Sequence, residues 1–136
     1  MTRRRMYPRS SLDGTTPSAD TFVSTAVGTG NIDKWAAGPA LPEARADAAS
    51  VVSGNTLYVI GGYGPPGQPT STVFSPKAGN DGSIGAWATE EAAALPEPRA
   101  GASVVTVSDG LVLLGGTDGT AATRSVWRST IDKAGA

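Results

Sequence analysis

Two segments of the chain repeat each other at a spacing a little over 50 residues. Trp35 and Trp87 are 52 positions apart, whereas Arg45 and Arg99 are 54 positions apart, so two residues are inserted after the second tryptophan. A unit of this length is one supersecondary motif that cannot bury its apolar face alone, and it is stabilised by stacking on a similar neighbour. The repeat therefore predicts stacked units of the same fold.

Each unit contains short apolar runs separated by dipeptides that suit tight turns. Gly54-Asn55 and Asp109-Gly110 tolerate positive φ and are typical of two-residue hairpins. The runs are apolar almost throughout, which predicts strands covered on both faces. The sequence predicts essentially no helix and nine strands: Thr21 to Val27, Ile32 to Ala37, Ala48 to Ser53, Thr56 to Ile60, Ser71 to Pro76, Ile84 to Thr89, Ser103 to Val107, Leu111 to Leu114, and Arg124 to Ser129.

The order of features in each unit resembles the Kelch repeat. An LPxxR element precedes the first strand, a glycine doublet follows the second, an aromatic residue lies in the third and a tryptophan lies in the fourth. These features are Leu41, Pro42, Arg45, Gly61, Gly62, Phe74 and Trp87 in one register, and Leu95, Pro96, Arg99, Gly115, Gly116 and Trp127 in the next. The GSIGAW stretch at 82–87 resembles bacterial members of the family. One departure is Leu113, interpreted as replacing the aromatic Tyr58 of the first unit.

The resemblance implies an all-β fold, a partial Kelch-type β-propeller. Kelch propellers close with six or seven four-stranded blades, and a ring needs at least about four. Residues 20–136, with repeat units 35–86 and 87–136, are expected to form one complete four-stranded antiparallel blade flanked by two partial blades. A further tryptophan would fall at about position 141. This pattern suggests a truncated product, a split gene or a self-associating subunit. Truncation is favoured because merged end blades would hold five strands instead of four.

Charge is distributed unevenly along the chain. The first ten residues hold four arginines and no acid, whereas residues 11–136 hold 7 basic and 12 acidic residues. The acidic body argues against a nucleic-acid partner, since phosphate contacts need a basic surface. Segment 1–19 is expected to be a disordered basic arm, with docking on an acidic partner as the alternative.

Apolar runs are too short for a secretory signal or a membrane span, so no membrane partner is expected. The absence of cysteine leaves the redox compartment open. Localisation is therefore undetermined from the sequence, with the cytoplasm as the default and an extracellular site for a longer parent.

Four residues are candidates for binding: Tyr63, Gln68, Arg45 and Arg99. Loop 63–68 joins two strands and differs in length and composition from its counterpart 117–120. Variable loops on a rigid scaffold commonly carry specificity. The two arginines could present guanidinium groups to an acidic ligand. Their fixed place before the first strand favours a structural role instead, in bonds to loop carbonyls or to an acid of the next blade.

Few residues of the sequence are suited to a catalytic role. The chain has no histidine, so the copper chemistry of Kelch-like galactose oxidase cannot be carried by it. Glu90 and Glu91 are neighbours and would point to opposite faces of a strand. Asn80, Asp81 and Asp118 offer too few oxygens for a calcium loop. No cofactor or metal is expected.

The sequence favours a non-enzymatic scaffold or interaction module. Its partner would be another protein or further blades, a second copy of the chain included. Two alternatives stay open: part of a bacterial Kelch-type propeller enzyme, a sugar epimerase or oxidase-like protein with its active residues in missing blades, or a structural surface protein.

Overall fold

The computed structural model describes residues 16–24, 30–78 and 83–130. Within them the chain forms eleven strands and a single 3-10 turn at Glu91–Ala93. The strands are β1 Phe22–Val23, β2 Ala36–Ala37, β3 Ala49–Ser53, β4 Thr56–Ile60, β5 Tyr63–Gly64, β6 Gln68–Pro69, β7 Val73–Ala78, β8 Ile84–Thr89, β9 Ser103–Val107, β10 Gly110–Leu114 and β11 Val126–Thr130. The all-β prediction is confirmed.

The strands form antiparallel sheets, and each pair joins sequence neighbours except β4 with β7, which are separated in the chain by β5 and β6. The central sheet has four strands in the order β3-β4-β7-β8, and the last sheet has three in the order β9-β10-β11. The first sheet contains β1 and β2, and β5 and β6 form a separate small hairpin. The predicted four-stranded antiparallel unit flanked by two smaller ones is therefore present.

The hairpin turns follow the repeat, with one correction. Gly54 and Asn55 lie between the paired residues Ser53 and Thr56, as predicted. In the last sheet Val107 pairs with Gly110, so the turn consists of residues 108 and 109 and the prediction of Asp109-Gly110 was wrong by one residue. Gly110 lies inside β10 instead, where a Cβ would collide with the backbone carbonyl of Ser129 in β11. Glycine is needed at position 110 because β10 and β11 approach closely there, and not because φ is positive.

Strand bounds differ from prediction most in the first sheet, and β7 and β11 each begin two residues later than predicted. The predicted strand over 21–27 is seen only as the two residues of β1, and its residues 25–27 lie outside the described residues. The predicted strand over 32–37 shortens to β2. The segment predicted as a plain loop over 63–68 contains the hairpin of β5 and β6. Ser18 exchanges backbone hydrogen bonds with Arg45 at 3.3 and 2.9 Å, so sheet bonding reaches into segment 1–19. Residues 1–15 of the proposed arm lie outside the described range.

The register also corrects the assignment of Leu113. Val51 pairs with Tyr58 in the central sheet, and Val105 pairs with Val112 in the last sheet. Tyr58 is therefore equivalent to Val112. Because side chains alternate along a strand, Leu113 faces the opposite side from that position and is buried.

The core lies between the central and last sheets. Ala49, Ile60 and Val73 of the central sheet are buried together with Leu113 of the last sheet. A hydrogen bond also joins β9 to β3: the Thr106 hydroxyl donates to the carbonyl of Val52 at 3.0 Å. The two sheets thus pack face to face, which covers one face of each. Val105, Leu114 and Val126 on the other face of the last sheet are exposed, so the prediction of strands covered on both faces was wrong for that sheet.

Candidate functional site

The glycine doublets bring the connecting segments close together at one end of the sheets. Gly62 N–H donates to the carbonyl of Arg99 at 2.7 Å, and Arg99 N–H donates to the carbonyl of Thr70 at 3.0 Å. A Cβ on Gly62 would lie 2.8 Å from the carbonyl oxygen of Ala46, and φ at Gly62 is +92°. Glycine is therefore required here both for backbone conformation and for space. The doublet fixes where each LPxxR segment lies.

Arg45 binds the elements of its own unit together. Its Nη2 donates to Thr72 Oγ1 at 2.6 Å, and its Nη1 donates to the carbonyl of Ala44 at 2.8 Å and to Glu43 Oε1 at 2.7 Å. The guanidinium lies 4.8 Å from the ring centroid of Phe74, within the range of a cation–π contact.

Arg99 repeats this arrangement in the next unit. Its Nη2 donates to Ser125 Oγ at 3.1 Å, and its Nη1 donates to the carbonyl of Pro98 at 2.8 Å. Glu97 lies 3.4 Å away, and the ring centroid of Trp127 lies 4.5 Å from the guanidinium carbon. We call the two sets together the arginine frame: each consists of an arginine, a hydroxyl residue, an aromatic ring and a glutamate.

The two arginines of the frame are almost completely buried. Their side chains are 2% and 5% exposed, and Nε of each is buried without a hydrogen-bond partner. Both guanidinium groups are used within their own units, on carbonyls and hydroxyls that hold the third strand against the LPxxR segment. The geometry favours the structural alternative for Arg45 and Arg99 over a ligand-binding one.

The hairpin of β5 and β6 places Tyr63 and Gln68 at the surface end of this region. Tyr63 pairs with Pro69 and Gly64 with Gln68, and residues 65–68 are exposed. Tyr63 is half-buried, and its backbone exchanges hydrogen bonds of 2.9 and 2.7 Å with Ala46. We call residues 63–69 the rim hairpin.

Arg45 supports the rim hairpin from below. A Cβ on Gly64 would lie 2.8 Å from Arg45 Nη1, so a larger residue here would require the guanidinium or the hairpin to shift. Two of the predicted binding residues, Tyr63 and Gln68, therefore lie on one small ribbon, and a third, Arg45, contacts its base. Arg99 lies in the next unit, apart from them.

The counterpart of the rim hairpin is a compact turn at 117–122. Asp118 Oδ1 accepts hydrogen bonds from Ala121 N–H at 2.9 Å and from Thr120 N–H at 2.8 Å. These backbone donors, with a smaller contribution from the charge of Arg99, hold the pKa of Asp118 below its ordinary value. Asp118 thus closes its own turn. The signal in the sequence is an aspartate two and three positions before those donors, typical of an Asx turn.

A groove of about 740 Å³ opens between the central and last sheets. Its lining is mostly apolar and includes Tyr58 and Leu95 together with Leu111 and Trp127. The strand β11 and the segment 92–96 form its outer margin. Sequence reasoning missed this groove because it arises from the stacking of two units and from no single motif.

Comparison with protein families supports the repeat. Residues 44–75 match the family model described as the Kelch motif. This stretch begins just before Arg45 and ends in β7, so it includes one arginine frame and one glycine doublet. The chain therefore carries a Kelch repeat. No curated protein matches the sequence.

The described residues contain neither a cluster suited to a metal ion nor a membrane-spanning helix. Across 16–24, 30–78 and 83–130, acidic residues are not grouped in threes that could hold a metal ion. None of the helical structure in that part of the chain has the length and apolar character needed to cross a bilayer.

Proposed function

We propose that this chain is a non-enzymatic Kelch-repeat scaffold that binds another protein through the rim hairpin. The observation that carries the proposal is the contrast between neighbouring units. Their arginine frames are alike, whereas the segments after the glycine doublets differ: one projects as the rim hairpin and the other closes as the Asp118 turn. A constant frame with divergent exposed segments is how rigid scaffolds vary specificity.

The anchoring of the rim hairpin supports this role. Backbone bonds to Ala46 and contact with Arg45 hold its base, while residues 65–68 are exposed. A preorganised ribbon loses little conformational entropy when it binds, so more of its contact energy appears as affinity. Tyr63 adds an amphipathic ring of the kind enriched in binding hot spots.

The test compares variants of the rim hairpin with one of the Asp118 turn. Tyr63→Ala and Gln68→Ala are measured beside Thr120→Ala, an exposed position in the equivalent segment. Proteins captured from the source organism by the unaltered chain are quantified by mass spectrometry, and the affinity of each specific partner is then measured with purified protein. Tyr63→Ala should weaken binding by about 1–3 kcal/mol. Thr120→Ala should leave it unchanged.

Stability measurements separate binding from packing. Urea unfolding of each variant shows whether Tyr63→Ala retains the fold, and Gln68→Ala, an exposed position, reports on binding with less effect on packing. Partners that bind all three variants equally would contradict a role for the rim hairpin. Turnover of a sugar substrate by the purified chain would contradict the non-enzymatic role.

A further inference from the structure

Trp87 shows how the outermost strand of a unit is held. It lies in β8 opposite Pro76 of β7, and its Nε1 donates to the carbonyl of Pro39 at 3.1 Å. Pro39 belongs to the segment that leads from β2 to β3. One tryptophan thus joins the fourth strand of the central sheet to the connection that precedes that sheet.

The equivalent place beside the last sheet is the groove. Ala93 lies 54 positions after Pro39 and so takes its place in the repeat, and it lines the groove together with β11. In the part of the chain that the structure describes, β11 pairs with β10 on one side and with no strand on the other. The margin between Ala93 and β11 therefore corresponds to the place that β8 and Trp87 occupy in the central sheet.

We propose that β2 of a second copy of this chain occupies this margin, with Trp35 inserted into the groove and its indole N–H donating to the carbonyl of Ala93. Trp35 is the repeat equivalent of Trp87, yet it is 63% exposed in its own copy. Residues 32, 35 and 36 are identical to residues 84, 87 and 88. The occupant therefore carries the same isoleucine and tryptophan that fill this position in the central sheet.

The register of the contact follows from the two pairings already present. Phe74 pairs with Thr89 in the central sheet and Phe22 pairs with Ala37 in the first sheet, so the first two units share one register. Applied to β11, that register places Trp127 opposite Ala37, Arg128 opposite Ala36 and Ser129 opposite Trp35 of the second copy. The added strand is antiparallel, as every strand pair of the central sheet is.

The pairing of β2 with β11 of another copy is favoured over its pairing with β1. In its own copy β2 is held to β1 by only two residue pairs, and Phe22 of β1 is 64% exposed. Strand β11 offers five residues already paired with β10 and an apolar groove behind them. Insertion of Trp35 into the groove removes a large exposed ring from water, and edge strands readily accept a partner.

Cysteine crosslinking tests the register directly, because the chain contains no cysteine of its own. Ala36→Cys and Arg128→Cys are made in separate chains of different tag length and mixed under mild oxidation. A disulfide between the two tags is expected, because directly opposed residues bring their Cβ atoms within bonding reach. The control replaces Arg128→Cys by Val105→Cys, also exposed but on β9, and should give only background crosslinking.

Association in solution gives a second readout. Analytical ultracentrifugation over a concentration series should show reversible self-association, weakened at least tenfold by Trp35→Ala and unchanged by Phe22→Ala, a matched loss of an exposed aromatic. A synthetic peptide of residues 30–38 should compete with the association. A monomer at all concentrations, or equal crosslinking of residues 128 and 105, would overturn the proposal. Circular dichroism of each variant verifies folding, and the peptide experiment needs no variant.

Discussion

Each buried arginine of the frame serves several acceptors at once. Arg45 and Arg99 reach a hydroxyl, a backbone carbonyl and a carboxylate from one planar group, with an aromatic ring beneath it. A lysine ammonium is smaller, cannot span the same acceptors as a fork and stacks less well on a ring. The chemistry of guanidinium, and not charge alone, therefore explains why arginine stands at both positions.

Replacing either arginine by lysine should destabilise the fold markedly. We expect Arg45→Lys and Arg99→Lys to lower the free energy of unfolding by about 2–4 kcal/mol, because buried acceptors lose their donors. The control is Arg128→Lys, whose salt bridge to Asp109 is solvent-exposed and should matter by less than about 1 kcal/mol. Urea unfolding followed by tryptophan fluorescence measures all three. Equal losses in the three variants would contradict a special role for the frame.

At the residue scale, the sequence predicted the place of the two arginines in the repeat better than it predicted their hydrogen-bond partners. The spacing of 54 correctly made Arg45 and Arg99 equivalent, and their place before the first strand favoured a structural role. The partners Thr72 and Ser125 lie 27 and 26 positions further on and were not identified. A threonine in one unit and a serine in the next leave only a shared hydroxyl as a signal, and that signal is weak without the fold.

The glycine doublet is the element that positions one unit against the next. Gly62 and Gly116 both have positive φ, and a Cβ on either would lie 2.8 Å from the carbonyl oxygen of Ala46 or Ala100. The close approach lets Gly62 N–H bond to Arg99 of the following unit. Conformation and space thus require glycine at the same residue.

Gly62→Ala should therefore cost more than a glycine replacement in an open turn. Gly54 also has positive φ, but nothing lies within 4 Å of a Cβ placed there. Gly54→Ala should cost only the left-handed conformation, about 1–2 kcal/mol, whereas Gly62→Ala adds overpacking of about 1–3 kcal/mol. Differential scanning calorimetry of the two variants makes the comparison. If both melt at the same temperature, close packing is not the reason for the doublet.

Strands of the two larger sheets were predicted better than those of the first sheet. The bounds of β4, β8 and β9 agree with prediction because a run of apolar or β-branched residues defines each of them. Strands β1 and β2 are shorter than predicted, since residues at an edge need not pair to their full length. The rim hairpin was missed because Pro65, Pro66 and Gly67 in succession are typical of a plain loop.

On the scale of the whole molecule, stacking accounts for the core and for the groove. Leu113 of one sheet meets Ile60 and Val73 of the other, and the same packing leaves the apolar margin beside β11. The sequence predicted that units stack, because the strands are apolar on both faces. It could not predict how far the contact extends, since that depends on sheet twist and on Ala93 lying opposite β11.

The central claim is that the Kelch repeat builds a four-stranded sheet and docks the next unit onto it, and amide hydrogen exchange tests it most directly. Interior strands of a cooperative sheet exchange most slowly. The account predicts that the amides of β4 and β7 exchange most slowly. The Gly62 N–H should exchange as slowly, because it donates to the carbonyl of Arg99 in the next unit. Rapid exchange at Gly62, or protection confined to the hairpin of β3 and β4, would contradict it.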